Sequence, residues 1–344
     1  MDKRVTIYDI AKRLNISTAT VNRALTGKPR VKEETRALVI RTAEEMGFKP
    51  NILARSLARR RLRLAVVAFT SFPEFHDLFL RGARNAGDEL LDFNTEVDYF
   101  SYDEGASNTP EASAYLEDIL QQIADSGYDG VLALARQSES FHLLKSKGIF
   151  VGSAVNDIRP EDRNFYISYN GFVAGQIAAE LIYRWLPDRG LPVAIASGFE
   201  GMSIHHRIVN GFQAQLEIMP LNMCPILYNH DNEDIAYEST MRLIKDAPDL
   251  GAIYVNSFNS AGVIRAVRES GRAGKLLLVT SDINAGLREC ISSGVVTASI
   301  FQNQYEQGRQ GLHTLFHALA NGETPPETIV IDPQIILRSN LSLF

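Results

Sequence analysis

At the start of the chain, apolar residues recur three and four positions apart, the period of a helix with one buried face. Ile7, Ile10, Ala11 and Leu14 form such a set behind a Thr6-Ile7-Tyr8-Asp9 capping-box pattern, and Asn15-Ile16 breaks it. Ser17 can cap a second short helix, Thr18 to Leu25, with Val21, Ala24 and Leu25 on one face, before Gly27-Lys28-Pro29 stops it. A third helix runs from about Lys32 to Met46, its apolar side made by Leu38, Val39, Thr42, Ala43 and Met46, and Gly47 ends it. Pro50-Asn51 introduces Ile52 to Ala58, a segment too short to hold a helix alone in water.

After Arg63 the period changes. Apolar, β-branched runs of strand length alternate with amphipathic stretches, the pattern of βαβ units and a parallel sheet. The spacing predicts strands at Leu64 to Phe69, Thr95 to Phe100, Gly130 to Leu134, Phe150 to Val155, Pro192 to Ser197, Pro225 to Tyr228, Gly251 to Asn256, Lys275 to Thr280 and Thr297 to Phe301. Phe165 to Asn170 reads as a crossover between two halves. So many strands exceed one small doubly wound sheet and predict two similar α/β lobes with a cleft between them.

The net charge of −6, averaged over 344 residues, points away from nucleic acid, but the average conceals two opposite segments. Residues 1–63 carry 16 Lys and Arg against six Asp and Glu, a balance of +10, and the remainder sums to −16. This predicts a basic arm for a polyanion carried by an acidic body.

Several classes drop out. Met1-Asp2-Lys3-Arg4 leads into no secretory apolar stretch, and the longest apolar runs are too short to span a bilayer, so a cytoplasmic chain with no membrane partner is expected. Cys224 and Cys290 lack CxxC spacing and read as two buried thiols. No GxxxxGK, GxSxG or HExxH motif occurs, nor a GxGxxG after a strand, so neither catalytic residues nor a cofactor is expected. His313 and His317 stand four apart on a predicted helix without a third ligand, which favours a half-buried helix face over a metal site.

The two short N-terminal helices, with small Ala11 in the first, a tight turn, and Ser17-Thr18-Ala19-Thr20-Val21 opening the second, have the layout of a helix-turn-helix. With the charge of +10 on the same segment, the layout points to duplex DNA.

At these residues, and at Asn22-Arg23-Ala24-Leu25, Pro50-Asn51 and Ala54-Arg55-Ser56-Leu57-Ala58, the chain resembles the LacI/GalR repressors. The resemblance implies that the second helix enters the major groove, with Thr18, Ala19, Asn22 and Arg23 at its contact positions and Thr6, Ser17 and Thr20 in the same interface. Asn22 stands where the family commonly has Ser. Thr18 and Ala19 suit thymine methyls or a single hydrogen bond, and Arg23 can make a bidentate contact to guanine. The resemblance also assigns Asn51, Ala54, Arg55 and Leu57 to a hinge helix that orders when two copies meet over the minor groove, with Leu57 as the wedge between base pairs. Arg55 and Arg59 to Arg61 would reach phosphates; a solvated basic linker is the other reading of Arg60 and Arg61.

In the body, Tyr128-Asp129-Gly130-Val131-Leu132, Asn170 with Ala174-Gly175, Gly211-Phe212 behind a polar loop, Ser281-Asp282-Ile283, the run Gly294 to Gln302, and Gly308 resemble the family's periplasmic-binding-protein-like sensor. By that resemblance Asn256 and Asp282 bind ligand hydroxyls from the second lobe and Gln302 from the interlobe crossing. Arg207 is displaced by one from the family's ligand Arg, whose place Ile208 takes. His205 and His206 could substitute, or be exposed loop histidines. Phe72 and Phe75, after the first strand, are candidates to stack on a sugar ring, or else core residues.

The implied organisation is an α/β protein: an all-α helix-turn-helix head at 1–49, a hinge helix and linker at 50–63, and a two-lobed sensor with parallel sheets at 64–344. Lobe one covers about 64–167 and 303–332, lobe two about 168–299 and 333–344. The expected function is a homodimeric, DNA-binding transcription regulator, a repressor, that takes pseudo-palindromic operator DNA and a neutral sugar or polyol effector in the cleft. A sugar-binding module without DNA activity is the alternative, and an enzyme is not expected.

Overall fold

The structure, a computed structural model, describes residues 5–25, 31–46, 48, 60–70, 73–102, 110–135, 138–200 and 202–344. Contacts divide the chain into two units, residues 1–60 and 61–344.

The first unit holds α1 (Ile7–Leu14), α2 (Thr18–Leu25) and α3 (Glu33–Glu45). Their buried faces meet in a small core of Ile10, Ala11, Val21, Ala24, Val39 and Ala43, part of the apolar set that the helical period picks out, whereas Leu38 of that set is exposed. The Asp9 carboxylate caps α1, accepting from the Thr6 N–H at 2.8 Å and from the Thr6 hydroxyl at 2.6 Å. Asn15 takes a left-handed conformation (φ 52°), which lets the Ile16 N–H bond the Ala11 carbonyl and turns the chain into α2. Ser17 Oγ then accepts from the Thr20 N–H at 3.0 Å, which caps the second helix.

The second unit contains two sheets. The first has strand order β12-β5-β4-β3-β1-β2, from β1 (Leu62–Phe69), β2 (Thr95–Tyr102), β3 (Gly130–Leu134), β4 (Phe150–Ala154), β5 (Phe165–Tyr169) and β12 (Thr328–Ile331). All of its pairings are parallel. The second has order β13-β11-β10-β9-β6-β7, from β6 (Pro192–Ser197), β7 (Asn222–Met223), β9 (Ala252–Val255), β10 (Leu277–Ser281), β11 (Ala298–Phe301) and β13 (Gln334–Ile336), with β8 (Leu227–Tyr228) also beside β6. Only β13 runs antiparallel, against β11.

Helices cover both sheets. In lobe one these include α4 (Pro73–Leu91), α5 (Pro110–Asp125), α6 (Ser140–Ser146) and α12 (Gln304–Asn321). In lobe two they are α7 (Gly171–Trp185), α8 (Ser203–Gln215), α9 (Glu233–Asp246), α10 (Ala261–Glu269) and α11 (Ala285–Ser292). Gly308 of α12 lies against the Phe79 backbone, and Gly211 of α8 against the Phe172 backbone, so a Cβ at either would collide with the neighbouring helix.

Three expectations need correction. Phe165 to Asn170 is mainly a buried central strand of the first sheet, β5; its all-apolar or small composition, Phe-Tyr-Ile-Ser-Tyr, suits burial on both faces, and the chain crosses only after Tyr169. The strands at Thr328–Ile331 and Gln334–Ile336 were not in the pattern, because each is short and partly exposed at a sheet edge. Of the two thiols, Cys290 is buried but Cys224 is only half-buried, since it follows β7 at the opposite edge.

His313 Nε2 lies 3.0 Å from Glu89 Oε2 on the α12–α4 surface. Among the described residues, no cluster of three His, Cys, Asp or Glu could hold a metal, and no helix is long and apolar enough to cross a membrane.

Candidate functional site

On α2, Val21 and Ala24 face the head core, while Ala19, Asn22 and Arg23 are exposed and Thr18 half-exposed on the other side. A turn of 3.6 residues brings positions 18 and 22, and 19 and 23, one above the other. The face therefore presents a methyl, an amide and a guanidinium together, the groups that read base edges in a major groove. Thr6, Ser17 and Thr20 sit at the helix starts, and their side chains are engaged in the caps. Asn51, Ala54, Arg55 and Leu57, together with Phe72, lie outside the described residues.

In the second unit, a cleft with about 620 Å³ of empty volume, part of it open to solvent, lies at the carboxyl ends of the strands of both sheets. Lobe one contributes Phe69, Phe75, Val155, Asn156 and Tyr169. Lobe two contributes Ile204, His205 and Ile208 from α8, Asp231 from the loop after β8, and Asn256, Ser257 and Phe258 after β9. Gln302 lines it from the crossing between β11 and α12. The rings of Phe75 and Phe258 meet edge to face across the lobes, centroids 5.5 Å apart. The Ala285 N–H at the start of α11 donates to Glu74 Oε2 at 3.0 Å, a second contact between lobes.

Buried polar groups stand among the apolar side chains that line the cleft. Asn256 is 3% exposed, and neither Nδ2 nor Oδ1 of its side chain has a hydrogen-bond partner among the described residues. Ser257 Oγ, Asp231 Oδ1 and Gln302 Oε1 are in the same state. Leaving such groups dry costs about 1–3 kcal/mol each, so a cleft with several of them is built to be filled by a polar ligand or by water.

Of the residues expected from the sequence, the structure brings Phe75, Asn256 and Gln302 together on the cleft. Asp282 stands behind them. Its carboxylate is fully buried, accepting from Gln302 Nε2 at 2.6 Å and from the Gln302 N–H at 3.2 Å, and so it aims the Gln302 amide. Burial pushes its pKa up to about 6, against the pull of those hydrogen bonds. Arg207 lies on the exposed side of α8, its guanidinium 5.5 Å from the Tyr166 ring centroid, and does not line the cleft; Ile208 does.

The segment expected as a polar loop before Gly211 is helical from Ser203. The helix separates the two histidines: His206 is exposed, whereas His205 is buried and lines the cleft. Asn156, Tyr169 and Phe258 were not anticipated, although each ends or follows a strand on the ligand side, which was a usable signal. Asp231 is reached only through the fold, from a polar loop with no motif.

The profile of the periplasmic binding protein domain matches residues 64–324, and that of the bacterial regulatory proteins of the lacI family matches residues 6–51. The catabolite control protein A of Priestia megaterium is 25% identical over 96% of this chain and 97% of its own. The probable HTH-type transcriptional repressor ExuR of Bacillus subtilis is 26% identical over 62% of this chain and 60% of its own. Among solved structures, GanP, a glucose-galactose binding protein from Geobacillus stearothermophilus, superposes with a TM-score of 0.70 at 19% identity, over 82% of this chain and 99% of that one. A periplasmic solute binding protein from Actinobacillus succinogenes with bound D-allose gives 0.73 at 16% identity, over 83% and 100%. The last two likenesses establish the fold of the second unit.

Proposed function

The chain belongs to the LacI/GalR family of DNA-binding transcription regulators, and we propose that it is a repressor whose operator affinity is set by a neutral sugar or polyol bound in the cleft. The observation that carries the proposal is the pairing, in one chain, of an exposed groove-reading face on α2 with a cleft in which several buried polar atoms lack partners among the described residues. In this reading Thr18, Ala19, Asn22 and Arg23 contact bases, with Thr6, Ser17 and Thr20 fixing the helix that carries them. Asn51, Ala54, Arg55 and Leu57 form a hinge over the minor groove, shared between the two subunits of a homodimer on a pseudo-palindromic site. The domain division at 1–49, 50–63 and 64–344 belongs to the same proposal.

Phe75, Asn256 and Gln302 hold the effector, with Asp282 positioning Gln302. Occupancy favours one arrangement of the lobes, and DNA affinity follows by population shift, to the extent that the effector binds the two arrangements differently. The D-allose bound to the similar solute binding protein supports a carbohydrate ligand.

The test is selection of binding sites from random duplex DNA by the full chain, followed by titration of the selected site with and without neutral monosaccharides and hexitols. A selected palindrome, bound by a dimer with an affinity that a sugar changes, is expected. A chain that enriches no sequence is instead a sugar-binding module without DNA activity.

A further inference from the structure

The lobe-two wall of the cleft carries features that α8 and the β8–α9 loop create together. His205 is buried, and its Nδ1 accepts from the Phe199 N–H at 3.1 Å. That bond leaves the ring proton on Nε2, so the ring is a neutral donor. Burial also lowers its pKa, although Asp231 pulls the other way.

Beside it, His230 and Asp231 are consecutive non-glycine residues in the left-handed region, with φ of 55° and 54°. Such backbone is unfavourable for L residues and persists only where its surroundings enforce it. Here the His230 N–H bonds the Gly198 carbonyl, the Asp231 N–H bonds Asn229 Oδ1 at 3.0 Å, and Asn259 Nδ2 holds the Asp231 carbonyl at 2.8 Å. The strained loop delivers one product, a buried Asp231 Oδ1 with no hydrogen-bond partner among the described residues. Gly198 makes room for it: a Cβ there would lie 2.6 Å from Asp231 Oδ1 and would collide with His205 Cε1. No Lys or Arg is among the described residues that line the cleft.

We infer that His205, Asp231 and Asn256 form a hydroxyl-reading wall that selects an uncharged polyhydroxy effector against its carboxylate and phosphate derivatives. His205 Nε2–H donates to a ligand oxygen, Asp231 Oδ1 accepts from a ligand hydroxyl, and the Asn256 amide does both. An anionic group at this wall meets the Asp231 carboxylate with no Lys or Arg among the described lining residues to offset it, in a buried setting where like charges repel strongly. Specificity then arises as much from this repulsion as from the hydrogen bonds.

The inference rests on the cleft being the effector site. It is tested by isothermal titration of the full chain with neutral pentoses, hexoses and hexitols, and with the matching uronates and sugar 6-phosphates. A neutral compound is expected to bind at least tenfold more tightly than its uronate and its phosphate. Asp231→Asn is expected to narrow that ratio several-fold while weakening the neutral compound, and His205→Gln to weaken the neutral compound about tenfold, each with a cooperative thermal transition retained in the absence of ligand. Binding of a uronate or phosphate equal to or tighter than its neutral parent would overturn the selectivity but leave the effector cleft standing. So would an Asp231→Asn protein with the parent ratio. Failure of every compound to bind would overturn the effector reading itself.

Discussion

In the head, the side chains proposed to read DNA fall within six consecutive residues, Thr18 to Arg23, whereas those lining the cleft run from Phe69 to Gln302. The head exposes its groups on one face of a short helix, over a core of a few small and medium side chains. The body buries its groups and leaves several unpartnered. The two ends of the chain also differ in sign, +10 for residues 1–63 against −16 for the rest. A surface that reads a polyanion works by charge and by exposed edges, so a single helix can carry it. A cleft that reads hydroxyls works by dry, converging dipoles, so it needs walls from both sheets.

The contrast in sign can be broken with salt. Raising salt from 50 to 200 mM is expected to weaken operator binding on the order of a thousandfold, if six or more phosphates are neutralised, and to leave sugar binding unchanged. A flat response in a DNA titration would remove charge as the basis of the head's function.

Independence of the two units is probed by Ile10→Ala. Ile10 is fully buried in the small head core, and its truncation is expected to cost about 2–5 kcal/mol, enough to unfold a unit of that size. Calorimetry should then show the sensor transition in place, with DNA binding lost. A shift of both transitions would mean that the units do not melt separately.

Arg23→Ala sharpens the assignment of the reading face. It is expected to cost about 1–3 kcal/mol of operator affinity and to relax preference at one base position, without altering effector titrations. Uniform weakening across all sequences would make Arg23 a phosphate contact.

A further effect concerns Asp282. Its pKa is raised by burial from 3.8 to about 6, so between those values the folded chain holds a proton that the unfolded chain has lost. The group's contribution is thus fully present below about pH 4 and is lost as pH rises through 6, with a slope of at most about 1.4 kcal/mol per pH unit. Asp282→Asn should flatten the fall in sensor stability across that window, measured by urea unfolding. An unchanged profile would show that the carboxylate titrates normally.

Much of the head was readable because its determinants are local. The Thr6-to-Asp9 cap, the Ser17 cap and the apolar period specify three helices and their buried faces without reference to anything distant. The body was readable in its alternation of strands and helices, but Phe165–Tyr169 shows the limit. Five apolar or small residues are consistent with a crossing or with a central strand, and only their pairing with β4 and β12 makes them β5. The site divides in the same way. Asn256 and Gln302 were named by the family resemblance, at strand ends where ligands lie, while Asp231 stands in a loop that matches no motif. Helical phase put His205 inside and Arg207 outside, a distinction of two residues that the expected loop could not express.

The sequence by itself determined what depends on neighbours along the chain: the caps, the periods, the opposite charges of head and body, and the small residues at Gly211 and Gly308 where helices touch. Tertiary structure decided what depends on convergence. Which buried polar atoms lack partners, which carboxylate merely aims Gln302, and which one faces the cleft beside His205 are questions about atoms far apart in sequence. Folding brings those atoms together, and burial fixes the cost of leaving them unpaired.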